Sequence, residues 1–202
     1  METVDELGLF PLGIVLLPTE RIPLHIFEPR YQELIGECID EEREFGLVFA
    51  DETGTREIGT RAAVLEVLDR FSDGRLNIVV EGRERFRIAR ETSGRSFLTA
   101  LVELFTDEEI LSRRQERARA LQLYRALGRI VEQDVDEPDL DSGLLSFELA
   151  ARVDFGPLHK QELLELRSEP DRLETVCHML ERATEAVTRE RALAEAAAKN
   201  GR

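Results

Sequence analysis

The segment Leu9–Leu34, LFPLGIVLLPTERIPLHIFEPRYQEL, contains the signals that decide the fold. Its apolar runs are short and are broken by Pro and Gly, which is typical of strands and turns and not of long helices. The run Ile22–Phe27 predicts one such strand. Pro29 is suited to a first helical position, so we expect a single helix over Pro29–Glu42. Its apolar residues recur at helical spacing: Tyr31, Leu34, Ile35, Cys38 and Ile39.

Further short apolar runs lie on both sides of this segment and predict six or seven strands in the first half of the chain. They are Leu7–Leu17, Phe45–Ala50, Ala62–Phe71, Leu76–Val80, Gly82–Arg90 and Phe97–Phe105. Ser72-Asp73-Gly74 joins two of these runs, and an Asp-Gly pair favours a tight hairpin turn. The first half is therefore expected to be a β-meander interrupted by one helix.

The pattern changes to helical spacing near residue 106. Thr106-Asp107-Glu108-Glu109 has the form of a capping box, which predicts a long helix starting directly after it. Leu144–Val153 and Leu158–Arg167 predict two shorter helices, and a final long helix is expected after Ser168. Strands followed by helices indicate an α+β chain, with a β-rich subdomain over residues 1–106 and a helical bundle over residues 107–202.

Composition excludes several classes of protein. The chain has 202 residues and a net charge of -15, which disfavours nucleic-acid binding, because that depends on a clustered basic surface. No apolar run reaches the length of about 20 residues that a membrane span needs. Cys38 and Cys177 are too few for a disulfide framework, which favours a cytoplasmic location.

Motifs for catalysis, cofactors or metals are missing from the sequence. There is no Gly-Lys dipeptide for a phosphate-binding loop, and His25, His159 and His178 lie in different predicted elements. We therefore expect no catalytic residues, no cofactor and no metal site. A small hydrolase using His25 with Glu28 remains an alternative, although strand alternation sends the two side chains to opposite faces unless the chain turns between them.

The acidic chain contains one local cluster of basic residues. Arg83, Arg85 and Arg87 alternate along a predicted strand and would share one face. They could bind a phosphate or an acidic peptide, or they could form an exposed face paired with neighbouring acids.

The order of several motifs resembles one known family, the amino-terminal substrate-binding domain of Lon proteases. The motifs are Leu9–Leu34, FGLVF at Phe45–Phe49, Ile58-Gly59-Thr60, VVEGRERFRI at Val79–Ile88, and HKQELL at His159–Leu164 followed by Arg172-Leu173. The resemblance covers about residues 7–190. It implies a PUA-like β-rich pseudobarrel with one inserted helix, followed by a C-terminal helical bundle.

The resemblance also implies a function and a set of candidate residues. In the protease this domain engages unfolded polypeptide, whereas ATPase and peptidase activities belong to other modules, so this chain is expected to be a free-standing, non-catalytic member. Unfolded or partly folded polypeptides are the expected partners, with a separate protease as a further one. The candidate binding residues are the signature positions His25, Phe27, Glu28, Arg30, Tyr31, Arg83, Arg85 and Arg87. Phe27 and Phe86 are also expected to fill the barrel core.

Two functional hypotheses follow. The first is a polypeptide-binding adaptor or holdase. The second is an RNA-binding protein, suggested by the PUA-like fold and by the arginine row but opposed by the net charge of -15. The sequence does not determine the oligomeric state.

Overall fold

The structure is a computed structural model that describes residues 5–132, 136, 138–139 and 142–200. The strands are β1 (Asp5–Leu12), β2 (Arg21–Ile26), β3 (Phe45–Asp51), β4 (Gly54–Thr55), β5 (Ile58–Arg70), β6 (Leu76–Thr92) and β7 (Thr99–Leu104). The helices are α1 (Pro29–Asp40), α2 (Arg114–Val131), α3 (Leu145–Ala151), α4 (Pro157–Glu165) and α5 (Glu169–Asn200). Within the described residues, no helix is both long and apolar enough to cross a membrane.

The sheet closes on itself. Its strand order is β1-β7-β6-β5-β3, and β1 also pairs in parallel with β3, which joins the two ends into a ring. Strand β2 pairs outside this ring with the first part of β6, and the two-residue β4 extends β3. Closure removes most of the open edges that a flat sheet would expose. The predicted α+β fold with a β-rich pseudobarrel and one inserted helix is confirmed.

Strand β6 is a single strand of 17 residues, where the sequence predicted two shorter ones. Gly82 lies inside the strand, at the point where the connection between β1 and β2 crosses it. A Cβ added at Gly82 would lie 2.1 Å from the carbonyl oxygen of Leu17. The Gly82 amide donates to the Glu20 carbonyl, and its own carbonyl accepts from Thr19. Glycine at this position therefore lets the connection between β1 and β2 lie directly against β6.

Helix α1 covers the larger core of the barrel. Glu28 precedes the helix in an extended conformation, and Pro29 occupies its first turn, as expected. The buried face of α1 belongs to the same core cluster as Ile78 and Val80 of β6, and the helix contributes Tyr31, Leu34, Ile35 and Cys38 to it. Phe86 is fully buried in a second, smaller cluster, so its predicted core position is confirmed.

Contacts divide the chain into two compact units. One consists of Met1–Glu108 with Asp154–Arg167, and the other of Glu109–Val153 with Ser168–Arg202. Residues 154–167, which contain α4, thus group with the sheet and not with the other helices. The division into subdomains at residues 106/107 stays a prediction.

The helix predicted to follow Thr106 begins later, at Arg114, so that prediction was wrong. The segment before it has partners that a helix could not keep. The Glu108 amide donates to the Arg167 carbonyl at 2.8 Å, and the Arg167 side chain donates to the Thr106 carbonyl. The capping bond forms instead at the Arg113 amide, which donates to the Glu116 carboxylate.

The second unit is built around the contacts of α5 with α2 and α3. A buried ion pair lies at the start of α5, where Arg172, fully buried, contacts the Glu169 carboxylate at 2.7 Å. Both side chains also bond to the Ser146 hydroxyl. Burial raises the pKa of Glu169, and the bonds from Ser146 and Arg172 oppose that shift.

Candidate functional site

Three aromatic rings form an exposed surface at one end of the sheet, which we call the aromatic patch: His25, Phe27 and Phe71. The His25 ring stacks on Phe27 at a centroid distance of 6.0 Å and meets Phe71 edge-on at 6.3 Å. Phe27 is 61% exposed and Phe71 is 40% exposed. Exposed aromatic side chains in mutual contact are typical of interaction surfaces.

The patch is positioned by β2 and by the hairpin between β5 and β6. Pairing of β2 with β6 places His25 opposite Asn77, whose side-chain oxygen lies 2.6 Å from the His25 Nδ1. The hairpin turn holds Phe71, whose amide donates to the Arg75 carbonyl, and Gly74 takes a positive φ of 88° there. The predicted tight turn is confirmed. The Arg75 guanidinium lies over the Phe71 ring, 5.1 Å from its centroid, and this cation–π contact helps to hold the ring in place.

The core position predicted for Phe27 was wrong. Strand β2 ends at Ile26, which is 1% exposed and fills the core in its place. The chain then turns toward Pro29, so the alternation of the strand no longer applies to Phe27. A bond from the Gln32 side chain to the Phe27 carbonyl, 3.1 Å long, holds the backbone at this turn.

The remaining signature residues next to the patch have structural partners. Tyr31 is buried, its ring lies 4.1 Å from that of Phe10, and burial raises the pKa of its hydroxyl. Arg30 pairs with Glu28 at 2.7 Å. The Glu28 carboxylate thus contacts Arg30, and the His25 imidazole contacts Asn77, so the His25–Glu28 pair of the hydrolase alternative is not formed.

The predicted row of exposed arginines is not present, because Arg85 is 5% exposed. Its guanidinium donates to the carbonyls of Leu164 and Leu166 at 2.6 and 2.7 Å and also pairs with Asp107. A cation at this position satisfies carbonyl groups that the end of α4 leaves without helical partners. Arg85 is therefore an anchor for α4.

Its two neighbours are exposed but engaged. Arg83 pairs with Glu81 at 2.8 Å, and the Arg87 guanidinium lies 5.0 Å from the Phe105 ring. The three arginines that supported the RNA-binding hypothesis thus have three different roles: Arg85 anchors α4, Arg83 forms an ion pair and Arg87 contacts an aromatic ring.

A groove beside α1 was missed by the sequence reasoning. We call it the acidic groove; its volume is about 680 Å³. It lies between the C-terminal end of α1 and strands β5 and β6, and its lining residues are Cys38, Ile39, Glu42, Arg43, Glu44, Ala63, Val64, Leu65, Glu66, Val67, Arg83 and Glu84. They come from four separate stretches of sequence, so no local motif could have indicated the groove.

The electrostatics of the acidic groove are set by its glutamates. Burial raises the pKa of Glu44, and the nearby carboxylate of Glu84 raises it further, while Arg61 and Arg83 lower it. Arg61 lies 3.9 Å from Glu44.

The cysteines and the other two histidines differ in exposure. Cys38 and Cys177 are buried, and burial raises the pKa of Cys38 to about 11, which keeps this thiol protonated at neutral pH. His159 and His178 are exposed. In the part of the chain that the structure describes, no group of three or more His, Cys, Asp or Glu side chains is placed to hold a metal ion.

Comparison with known proteins assigns the chain to a family. The substrate-binding domain of the ATP-dependent protease La (LON) matches residues 6–182. The chain belongs to this family, and the resemblance inferred from its motifs is confirmed.

Curated relatives are Lon proteases. The chain is 28% identical over 193 residues to Lon protease of Erwinia amylovora and 25% identical over 193 residues to that of Escherichia coli K12. In both cases the match covers 87% of this chain and 24% of the relative. The chain therefore spans about a quarter of the length of these relatives.

Solved structures show the same fold. A Lon N-terminal domain protein from Xanthomonas campestris is similar with a TM-score of 0.66 and 26% identity, over 85% of this chain and 96% of the other. The N-terminal domain of Lon protease from the Mycobacterium avium complex has a TM-score of 0.66 at 17% identity, over 88% of this chain and 98% of the other.

Proposed function

We propose that this chain binds apolar segments of unfolded or partly folded polypeptides, and that the aromatic patch is the surface that holds them. The family is named for substrate binding in a protease, which supports a polypeptide ligand. The observation that carries the proposal is that Phe27 is 61% exposed and that its ring stacks on the exposed ring of His25.

The patch has the chemistry that unfolded chains require. Unfolded polypeptides expose Leu, Val and aromatic side chains in varied order, so a receptor for them needs apolar area more than a set of directed hydrogen bonds. Burying a phenylalanine side chain stabilises a complex by about 1.5–3 kcal/mol, and two partly exposed rings provide a comparable gain. The His25 ring, bonded to Asn77, keeps a polar edge beside this apolar area.

The same proposal includes a non-catalytic role in the cytoplasm. The chain would hold its polypeptide ligands as a holdase, or pass them to a separate protease as an adaptor. Affinity capture with the tagged chain separates the two roles, because an adaptor recovers one stoichiometric protease and a holdase recovers many partly unfolded proteins.

The test replaces Phe27 and Phe71 by Ser and measures binding of a permanently unfolded, fluorescently labelled polypeptide by anisotropy. We expect affinity to fall by about tenfold, because most of the apolar area of the patch is lost. Leu158→Ser is the matched control, since Leu158 is 62% exposed on α4 and lies outside the patch. Equal losses in both variants, or no binding by the wild type at high micromolar concentration, would contradict the proposal.

A further inference from the structure

The acidic groove is lined by both apolar side chains and glutamates. We propose that it binds extended segments in which Lys or Arg alternates with apolar residues, as a second subsite for the polypeptides that the proposed function assigns to this chain. The proposal rests on that function and adds a chemical preference to it.

The floor of the groove is apolar. Cys38 of α1 and the β5 residues Val64 and Val67 belong to the core or pack against it, so they are fixed in position. Leu65 also lines the groove and is 42% exposed. This combination of a fixed floor and an exposed leucine provides contact for apolar side chains of a bound segment.

The rim of the groove has an excess of negative charge. Its two arginines are paired with carboxylates that do not line it: Arg43 with Glu41 at 2.9 Å, and Arg83 with Glu81 at 2.8 Å. The glutamates that line the groove are Glu42, Glu44, Glu66 and Glu84. Among the described residues, the ion pairs at the groove are those of Arg43, Arg61 and Arg83, and none of them includes Glu42, Glu66 or Glu84. Their charges are therefore available to a ligand.

Charge complementarity decides the occupant. An acidic segment would add like charges at close range, and a nucleic acid would meet the same repulsion along its phosphates. A lysine or arginine would instead find several carboxylates. Burial is the main cause of the raised pKa of Glu44, and the Glu84 carboxylate adds to it. A bound cation would relieve this second, electrostatic contribution.

The adjacent strand favours an extended ligand. Strand β3 pairs with β5 only over Thr60–Ala62. From Ala63 onward, β6 is the only described strand that pairs with β5. The main-chain N–H and C=O groups on the other edge of β5 therefore have no strand partner along the groove. A segment lying there in an extended conformation directs alternate side chains toward the floor and toward the rim. A basic and apolar alternation fits both surfaces.

The first experiment compares three labelled peptides on the full chain: one alternating Lys with Leu and Val, one with Glu in place of Lys, and one with Gln. We expect the Lys peptide to bind most tightly. Glu66→Gln combined with Glu84→Gln should weaken the Lys peptide by about fivefold and leave the Gln peptide unchanged, because exposed charge pairs contribute about 0.2–1 kcal/mol each.

The control is a double variant of equal charge change, Glu52→Gln with Glu57→Gln, at two exposed carboxylates outside the groove. An equal loss in this control means that only the net charge of -15 attracts the peptide, and the groove assignment is then wrong. Equal binding of the Lys and Glu peptides by the wild type also overturns it, while polypeptide binding itself stands. Binding of none of the peptides would overturn both proposals.

A second pair of variants tests the location without a change of charge. Leu65 and Leu68 are both exposed leucines at irregular positions of β5, but only Leu65 lines the groove. Leu65→Ser is expected to weaken the Lys peptide severalfold, and Leu68→Ser to leave it unchanged. The opposite order would exclude the groove.

Discussion

Arg85 shows how a single buried cation can be accommodated in this molecule. Removing a guanidinium from water is costly unless every donor finds a partner, and here two main-chain carbonyls and the Asp107 carboxylate receive it. The two carbonyls belong to Leu164 and Leu166, so the cost of burial is offset by the attachment of α4 to the sheet. The residue is therefore a positioning residue for an element, and its loss should affect stability.

We predict that Arg85→Met lowers the free energy of unfolding by about 2–4 kcal/mol, because the charged hydrogen bonds of the buried guanidinium to two carbonyls and to Asp107 are lost. Urea unfolding followed by circular dichroism measures the change. The control is Arg83→Met, because the Arg83 side chain is 43% exposed and its pair with Glu81 should contribute less than about 1 kcal/mol. Similar changes in the two variants would show that Arg85 is not an anchor.

At the scale of elements, β6 connects most parts of the sheet. It pairs with β2, β5 and β7. Its length of 17 residues allows its first part to pair with β2 and its later part to pair with β7 in the closed ring. The close approach of the β1–β2 connection to Gly82 sets a strict size limit at one point of this strand. No side chain, however small, fits there without moving the backbone.

Gly82→Ala is accordingly expected to destabilise the chain by about 3 kcal/mol or more, because its Cβ would lie 2.1 Å from the Leu17 oxygen. Gly36→Ala provides a contrast within α1. A Cβ at Gly36 meets no atom within 4 Å, and alanine is the better helix former, so this variant should be more stable by about 0.5–1 kcal/mol. Thermal unfolding of both variants measures the two shifts. A tolerated Gly82→Ala would show that the crossing relaxes without cost.

Over the whole molecule, the net charge of -15 acts together with the local charges of the acidic groove. Ion screening separates these electrostatic contributions from apolar contact, since the Debye length falls from about 10 Å at 0.1 M salt to about 3 Å at 1 M. The two proposed subsites should therefore respond differently to salt.

We predict that affinity for the Lys-containing peptide falls severalfold between low salt and about 1 M salt, because charge attraction is screened. Binding of a neutral, apolar unfolded polypeptide to the aromatic patch should stay constant or increase, since apolar burial does not depend on charge. Anisotropy titrations over a salt series measure both. A parallel decline for the two ligands would show that the patch does not bind through apolar contact.

Much of the fold could be predicted from the sequence because its signals are local. The apolar runs, the proline at the start of α1, the turn at Gly74 and the motif order of the family are each contained in a short stretch of residues. Length and periodicity therefore predicted the β-rich half, the inserted helix and the helical half. The start of α2 could not be predicted, because the bond between Glu108 and Arg167 joins distant positions.

The sequence by itself determined the family, the α+β class and the general solvent-facing charge of this protein. Tertiary structure alone decided which signature residues are exposed. Arg85 is buried because residues 79 and 81 positions away bring their carbonyls to it, and Phe27 is exposed because β2 ends one residue earlier. The acidic groove likewise arises where separate stretches of sequence meet. Burial is a property of the packed neighbours of a side chain, and those neighbours are set by the whole fold.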